Sequence, residues 1–144
     1  MSGIINLSEL VTLGLHSMAL IANKDKPLLS VKEIAKNTNS SEFHLSKVLQ
    51  ILVKKGFVRS VRGPKGGFSL AMNPEDISFY DIYTALEGPI NVKKCPSNCS
   101  SCSFSICIFN NVLERLNEEL IVFLKTKKLN ELFLMENSED NKIE

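Results

Sequence analysis

Four cysteines lie within thirteen residues of one another, at Cys95, Cys99, Cys102 and Cys107. Thiolates are ligands for soft metals, and a loop of this length can wrap around an inorganic cluster. The intervening residues are mostly small and polar, which suits a tightly folded loop. The spacing therefore favours a cysteine-rich loop over residues 91–105 that binds an iron–sulfur cluster.

Two other uses of the four thiols stay open on spacing alone. Four thiolates also satisfy tetrahedral zinc, although structural zinc sites usually pair two Cys-x2-Cys steps and only Cys99 and Cys102 form such a step here. Free thiols that switch through a disulfide are the third interpretation. In a reducing compartment, metal binding or redox sensing is more typical of such a cluster than a structural disulfide.

A reducing compartment is expected because no targeting segment is evident. Residues 4–22 are apolar, but no basic residue precedes them, the first lysine being Lys24. Glu9 and His16 interrupt this stretch, which is too polar to span a bilayer. We therefore expect a cytoplasmic protein with no membrane partner.

The net charge of +1 hides a strong asymmetry along the chain. Residues 30–65 contain eight basic and two acidic residues, a net charge of +6 that leaves −5 for the remainder. Acidic residues gather at the C-terminus, where residues 135–144 are expected to form an acidic, disordered tail. A basic segment of this kind indicates a polyanion as partner.

Hydrophobic periodicity and turn residues predict a mainly α fold with one small β-hairpin. The predicted elements are helices at 6–23, 30–37 and 42–55, strands at 57–61 and 68–71, and helices at 78–87 and 106–127. Two short helices followed by a hairpin are typical of a winged helix-turn-helix. Residues 1–90 are thus predicted to be a DNA-binding domain.

The helix at 42–55 is the predicted recognition helix. Such a helix presents short polar side chains at its N-terminus, where a phosphate can also bind. Ser40, Ser41, His44 and Lys47 occupy that edge. On pattern alone, two hairpins that bind no nucleic acid remain the alternative.

The turn at 62–67 is the predicted tip of the wing. It is rich in glycine, which allows close approach to a DNA backbone, and Arg62 could enter the minor groove. Arg59 and Lys65 add positive charge on either side of Arg62.

The segment 106–134 is predicted to be a dimerisation helix with a short C-terminal extension. Five apolar residues recur at alternating spacings of four and three, which is typical of a coiled-coil seam. They are Phe109, Leu113, Leu116, Leu120 and Phe123.

The segments 45–50 and 55–70 strongly resemble the bacterial winged-helix regulator family of IscR, NsrR, RirA and CymR, in particular its iron–sulfur cluster-binding branch. The resemblance begins in the first helix and extends through 87–89 to 129–132. It implies a homodimer, held by the long C-terminal helix, that binds palindromic double-stranded operators. It places four residues in the major groove, Ser41, His44, Ser46 and Lys47, and Arg62 in the minor groove. Ser46 stands where IscR has an acidic specificity residue, so the operator sequence does not transfer.

The resemblance also favours the cluster, because relatives place three cysteines across this loop. Cys95 and Cys107 match the outer ligands, whereas Cys99, Cys102 or both could take the middle position. Some relatives use a histidine three residues after the last cysteine, but this chain has Asn110 there. In others the partner's first helix provides a ligand, and His16 matches such a histidine, although a packed or hydrogen-bonded interface histidine is the favoured interpretation of His16. With four local cysteines, no ligand from the partner subunit is needed. This favours 4Fe-4S over 2Fe-2S, with zinc as the alternative.

An enzyme is the weakest interpretation of this sequence. It contains two histidines, no local Cys-His pair, no phosphate loop and no nucleophile elbow, so no small-molecule substrate is expected. The sequence instead predicts a homodimeric transcription regulator whose operator binding a cysteine-held cluster modulates. The alternative is the same regulator with a zinc-bound or thiol-switching loop.

Overall fold

The computed structural model describes residues 4–23, 26–93, 95–97 and 101–132. Within them, the chain forms helices α1 Glu9–Ala22, α2 Val31–Thr38 and α3 Glu42–Lys54, strands β1 Val58–Val61 and β2 Gly67–Leu70, a 3-10 turn Pro74–Asp76, and helices α4 Phe79–Glu87 and α5 Val112–Thr126. The predicted mainly α fold with one β-hairpin is therefore confirmed.

The ends of the helices follow local hydrogen bonding. The Ser30 hydroxyl accepts the Glu33 N–H at 3.2 Å, and the Glu33 carboxylate accepts the Ser30 N–H at 2.9 Å, which is the predicted capping box at the start of α2. Ser41 caps α3 by accepting the His44 N–H at 3.1 Å. Asn39 links the two helices in the left-handed conformation, with φ 50°.

A single core holds the helices together. Met18 of α1, Leu49 and Leu52 of α3, and Ile82 of α4 are all fully buried in it. Burying each such side chain contributes about 1.5–3 kcal/mol. Because α3 packs only through this apolar face, its opposite face is left to solvent.

The long C-terminal helix is shorter than predicted. It begins at Val112 rather than at 106, because Asn110 and Asn111 adopt positive φ angles of 49° and 56° that end any regular helix before it. Asparagine tolerates this conformation better than most residues. Phe109, the first residue of the predicted seam, therefore precedes the helix.

Smaller corrections concern other element ends. The first helix begins at Glu9 instead of residue 6, since Ser8 caps it by accepting the Val11 N–H. Phe57 and Ala71 lie just outside the two strands.

The predicted tail at 135–144 lies outside the described residues. Among the helices that the structure describes, none is long and apolar enough to cross a bilayer.

The capping box of α2 generates a pH-dependent prediction. The Glu33 carboxylate accepts a hydrogen bond from Lys26 Nζ at 2.7 Å as well as the one from Ser30, and these bonds lower the pKa of Glu33 from 4.5 to about 2. The folded state thus favours the charged carboxylate. Its stabilising effect is present above pH 4.5 and is lost as the pH falls towards 2.

Glu33→Gln should therefore lower the melting temperature at neutral pH, and the difference from wild type should shrink as the pH falls below 4.5. Glu75→Gln is the control, since Glu75 is exposed and makes no ion pair with any described residue. Thermal unfolding across this pH range measures both variants. A Glu33→Gln deficit that stays constant with pH would contradict the assignment.

Candidate nucleic-acid interface and cysteine pocket

The N-terminal edge of α3 presents the predicted recognition residues unequally. His44 and Lys47 are exposed. Ser41 is also exposed, but its hydroxyl already accepts the capping N–H. Half-buried Ser46 donates its hydroxyl to the Glu42 carbonyl at 2.7 Å, and Ser40 shares a hydrogen bond of 2.8 Å with Thr38 inside the turn.

A residue that sequence reasoning missed stands on the same surface. Phe43 is 70% exposed, and the Lys47 ammonium lies 4.4 Å from the centre of its ring. Phe43, Lys47, Gln50 and Lys54 follow helical spacing and share the face opposite the buried leucines. That spacing is the signal that could have identified Phe43, because an apolar residue off the buried stripe must face solvent.

The wing is an antiparallel hairpin whose pairing runs from Val58 with Leu70 to Val61 with Gly67. At its tip, the Gly66 N–H donates to the Gly63 carbonyl at 3.0 Å, and Gly63 has a φ of 118° that favours glycine. The predicted DNA contacts of the wing are all exposed: Arg59, Arg62 and Lys65.

The wing is fixed to the segment that precedes α2. Leu29 and Phe68 exchange two backbone hydrogen bonds, of 2.7 and 3.1 Å. A Cβ atom on Gly67 would lie 2.6 Å from the Leu29 carbonyl oxygen, so the two backbones approach too closely for any side chain at this position. This contact sets where the wing stands relative to α3.

A crevice of about 410 Å³ separates the wing from α3. Ser46, Gln50 and Lys54 line it from the helix, and Ser60 and Arg62 from the wing. The crevice is thus bounded by two cations and several hydrogen-bonding groups, the side chains that proteins use to bind DNA phosphates.

Three of the cysteines line a second pocket, of about 510 Å³, just before α5. Cys95 and Cys102 are exposed, Cys107 is half-buried, and all three are free thiols. Cys99 lies outside the described residues. The thiol donors fit a soft metal centre, although the described His, Cys, Asp and Glu side chains form no group of three close enough to hold one metal ion.

His16 does not reach the cysteine pocket within one chain. It is exposed on α1, with Nδ1 2.7 Å from the Thr12 carbonyl oxygen. It lines a different cleft, bounded by residues 37–40 at the end of α2 and in the turn before α3. Its role as a ligand for the partner's cluster stays a prediction.

The seam of α5 is partly covered and partly open. Leu113, Leu116 and Leu120 line a groove that also contains Ile4 and Ile5, although Leu116 is still 39% exposed. Phe123 lies outside this groove and is 49% exposed. Phe123 also packs edge to face against Phe79 of α4, with ring centres 6.1 Å apart. The helix is therefore attached to the core and keeps an apolar surface open.

Comparison with known proteins identifies the family. The family model described as "Rrf2: Iron-dependent Transcriptional regulator" matches residues 7–134. The chain belongs to the Rrf2 family. The regulator NsrR of Bacillus subtilis (strain 168) is 34% identical over 124 residues, which cover 84% of this chain and 83% of NsrR.

Solved structures agree with this assignment. The structure of CymR, "the Global Cysteine Regulator of B. subtilis", has a TM-score of 0.69 at 28% identity and covers 90% of this chain and 96% of its own. The T. potens IscR structure has a TM-score of 0.70 at 26% identity, with coverages of 98% and 93%. This Rrf2 protein is a DNA-binding transcription regulator with a winged helix, and the prediction that it is not an enzyme is confirmed.

The contact between Gly67 and Leu29 predicts that Gly67→Ala is destabilising. The added methyl group meets backbone atoms of Leu29 that no rotamer change can move, so the wing must shift. Such overpacking typically costs about 1–3 kcal/mol in the free energy of unfolding. Urea unfolding should show this loss, whereas Ser69→Ala in the same strand should stay near wild type. Equal stability of the two variants would contradict the proposed anchoring of the wing.

Proposed function

We propose that this Rrf2 regulator binds palindromic operators as a homodimer in the bacterial cytoplasm, and that an iron–sulfur cluster on Cys95, Cys99, Cys102 and Cys107 modulates this binding. The observation that carries the proposal is the shared pocket of the described cysteines, placed directly before a helix with an open apolar surface. Cluster and dimer helix would thus be adjacent in the chain.

In this proposal, α3 enters the major groove and the wing follows the adjacent backbone. His44 and Lys47 would contact base edges or phosphates, since both side chains are exposed. The hydroxyls of Ser41 and Ser46 each keep hydrogen-bonding capacity beyond their helical bonds. Arg62 would enter the minor groove, with Arg59 and Lys65 near phosphates.

The open surface of α5 supports a second copy of the chain as its occupant. Leu116 and Phe123, which share one side of the helix, are 39% and 49% exposed, and Ile106 and Ile108 of the preceding segment are also exposed. Exposed apolar side chains grouped in this way often mark an interface. A two-fold dimer would bury the same surface on both copies and match the symmetry of a palindromic operator.

The cysteines fit the proposed cluster through their donor chemistry and their common pocket. When bound, the cluster supplies a covalent link between the thiolates that depends on iron supply and redox state. Cys95 and Cys107 would hold the two ends of the loop, with Cys99 and Cys102 between them. Because four thiolates are local, 4Fe-4S is favoured over 2Fe-2S, and His16 of a partner is needed only if one middle cysteine does not bind.

Hydrogen bonds between the helices suggest how the loop could act on DNA binding. The loop connects the end of α4 to the start of α5, and the far end of α5 returns to α4 because the Phe79 N–H donates to the Lys127 carbonyl at 3.0 Å. Ser8 at the start of α1 donates to the Glu87 carboxylate at the end of α4. If a cluster holds the loop in one conformation, it would therefore influence the positions of both α5 and α1. These helices pack in the same structural unit as α3. Affinity changes only if the two loop states bind DNA differently.

A zinc-bound or thiol-switching loop is the second candidate. It is favoured by the structural similarity to CymR and by the three free, accessible thiols. Colour distinguishes the candidates, because an iron–sulfur protein absorbs visible light whereas zinc and thiol proteins are colourless.

The wing generates a prediction for DNA binding. Arg62→Ala should weaken binding to a selected operator by about 1–3 kcal/mol with no change in folding, since the side chain is exposed. Lys54→Ala is the comparison: as a phosphate contact it should weaken selected and random duplexes alike and lower the salt slope by about one unit. Mobility-shift titrations at several salt concentrations measure both. Unchanged operator affinity for Arg62→Ala would exclude it from the interface.

The exposed surface of α5 generates a prediction for the dimer. Leu116→Asp should be tolerated in a folded monomer but would bury an unpaired charge in the dimer. Analytical ultracentrifugation should then report monomers, and operator affinity should collapse because one wing domain occupies only one half-site. Glu118→Lys, on the opposite side of the helix, is the control and should stay dimeric. A Leu116→Asp dimer would place the interface elsewhere.

The cysteine pocket generates a prediction for the ligands. Cys95→Ser and Cys107→Ser each replace a thiolate with a weak hydroxyl ligand, so iron, sulfide and visible absorption should be lost after anaerobic purification. Ser101→Ala in the same loop is the control and should keep the wild-type spectrum.

The middle ligands follow from the same measurement. If both Cys99 and Cys102 bind, each single Ser variant should be impaired to a similar degree. If only one of them binds, the Ser variant of the other cysteine should keep the wild-type spectrum. In that case His16→Ala should alter the spectrum of the protein. A full cluster in the Cys95→Ser, Cys107→Ser double variant would contradict the whole ligand scheme.

A further inference from the structure

Phe43 is an exposed aromatic residue on the recognition helix that no predicted DNA contact accounts for. It is the second residue of α3 and is 70% exposed, although Leu45 two positions later is fully buried. A solitary exposed apolar side chain is ordinary on a protein surface. Phe43 differs because its neighbours on the same edge are the candidate base-contacting residues Ser41, His44 and Lys47.

The contact with Lys47 is a second, independent observation. The Lys47 ammonium lies 4.4 Å from the centre of the Phe43 ring, within the range of a cation–π attraction. The ring of His44 is also close, with ring centres 6.5 Å apart. The phenyl ring is therefore flanked by groups that can bind polar base edges or phosphates, while the ring itself has no hydrogen-bonding group and its exposed part can pack against an apolar group.

The major groove offers one such apolar group, the C5-methyl of thymine. We propose that Phe43 is a specificity-determining residue that contacts a thymine methyl in each half-site and positions the Lys47 ammonium beside it. This inference rests on the proposed entry of α3 into the major groove. The phenyl ring is short and has only two side-chain torsions, so ordering it against a methyl group has a small entropic cost.

Replacing thymine with deoxyuridine tests the contact, because this change deletes the methyl group and keeps both Watson–Crick and major-groove hydrogen-bonding groups. Preferred duplexes are first selected from a random-sequence pool with the full-length protein purified anaerobically. Each thymine of the selected half-sites is then replaced in turn, symmetrically in both half-sites. Wild type, Phe43→Ala and Phe43→Leu are titrated against every duplex, and thermal unfolding checks that the variants fold.

At one thymine, the loss of the methyl group should weaken wild-type binding roughly fourfold for each half-site. Phe43→Ala should bind the parent duplex more weakly and show almost no further loss at that position, whereas Phe43→Leu should keep part of the discrimination. Met72→Ala is the matched control, because Met72 is an exposed apolar residue beyond β2. This variant should keep the wild-type ratio of affinities for the parent and deoxyuridine duplexes.

Three results would overturn the inference. The deoxyuridine penalties could be the same in wild type and Phe43→Ala at every thymine, in which case another residue contacts the methyl groups. Phe43→Ala could weaken random duplexes as much as selected ones, which would leave Phe43 without a role in specificity. If wild type selects no preferred sequence at all, the proposed major-groove entry of α3 fails together with this inference.

Discussion

The burial of one face of α3 is the constraint on which the proposed DNA-binding surface depends. Leu45, Leu49 and Leu52 are completely buried against α1 and α4, which fixes the rotation of the helix about its axis. With that rotation fixed, Phe43 and Lys47 must face outward. The proposed recognition surface is thus a consequence of core packing, and buried residues determine which side chains would be able to reach DNA.

The same packing connects the cysteine loop to the DNA-binding helices. The loop begins after α4 and ends before α5, and the backbone bond from Phe79 to Lys127 ties the two helices together at their other ends. The hydrogen bond from Ser8 to Glu87 joins the start of α1 to the last residue of α4, which precedes the loop. A change in the conformation of the loop would therefore be transmitted to α1, α4 and α5, because these helices are packed and hydrogen-bonded together. This is the physical basis for proposing that the cysteines modulate binding to DNA.

Local signals in the sequence predicted most of the fold. The capping box from Ser30 to Glu33 needs only residues three apart, and the apolar stripe of α3 needs only helical spacing, so the sequence alone predicts both. It does not predict the start of α5, because the left-handed Asn110 and Asn111 interrupt a pattern that otherwise continues back to Phe109. Apolar periodicity shows which residues are compatible with a helix. It does not show where the backbone departs from helical geometry, as it does at the two asparagines.

The sequence predicted which residue types form the candidate DNA contacts and the cysteine loop. It did not predict how their side chains are arranged. Exposure of His44, Lys47 and Arg62 agrees with the predicted interface, whereas Ser40 belongs to the turn through its bond with Thr38. Phe43 was not predicted because polar side chains are the usual signal of a DNA contact. The spacing of the cysteines placed them in one loop, yet how closely the thiols approach depends on loop backbone conformation, which spacing does not determine.

Coupling between the cysteine loop and operator affinity can be measured on a single preparation of the protein. Operator affinity is determined for anaerobically purified protein and again after a chelator has removed its iron, with the visible spectrum recorded on the same samples. If the cluster modulates binding to DNA, the purified protein should be coloured and its operator affinity should change by about fivefold or more when the colour is lost. A coloured protein with the same affinity before and after chelation, or a protein that binds no iron at all, would contradict it.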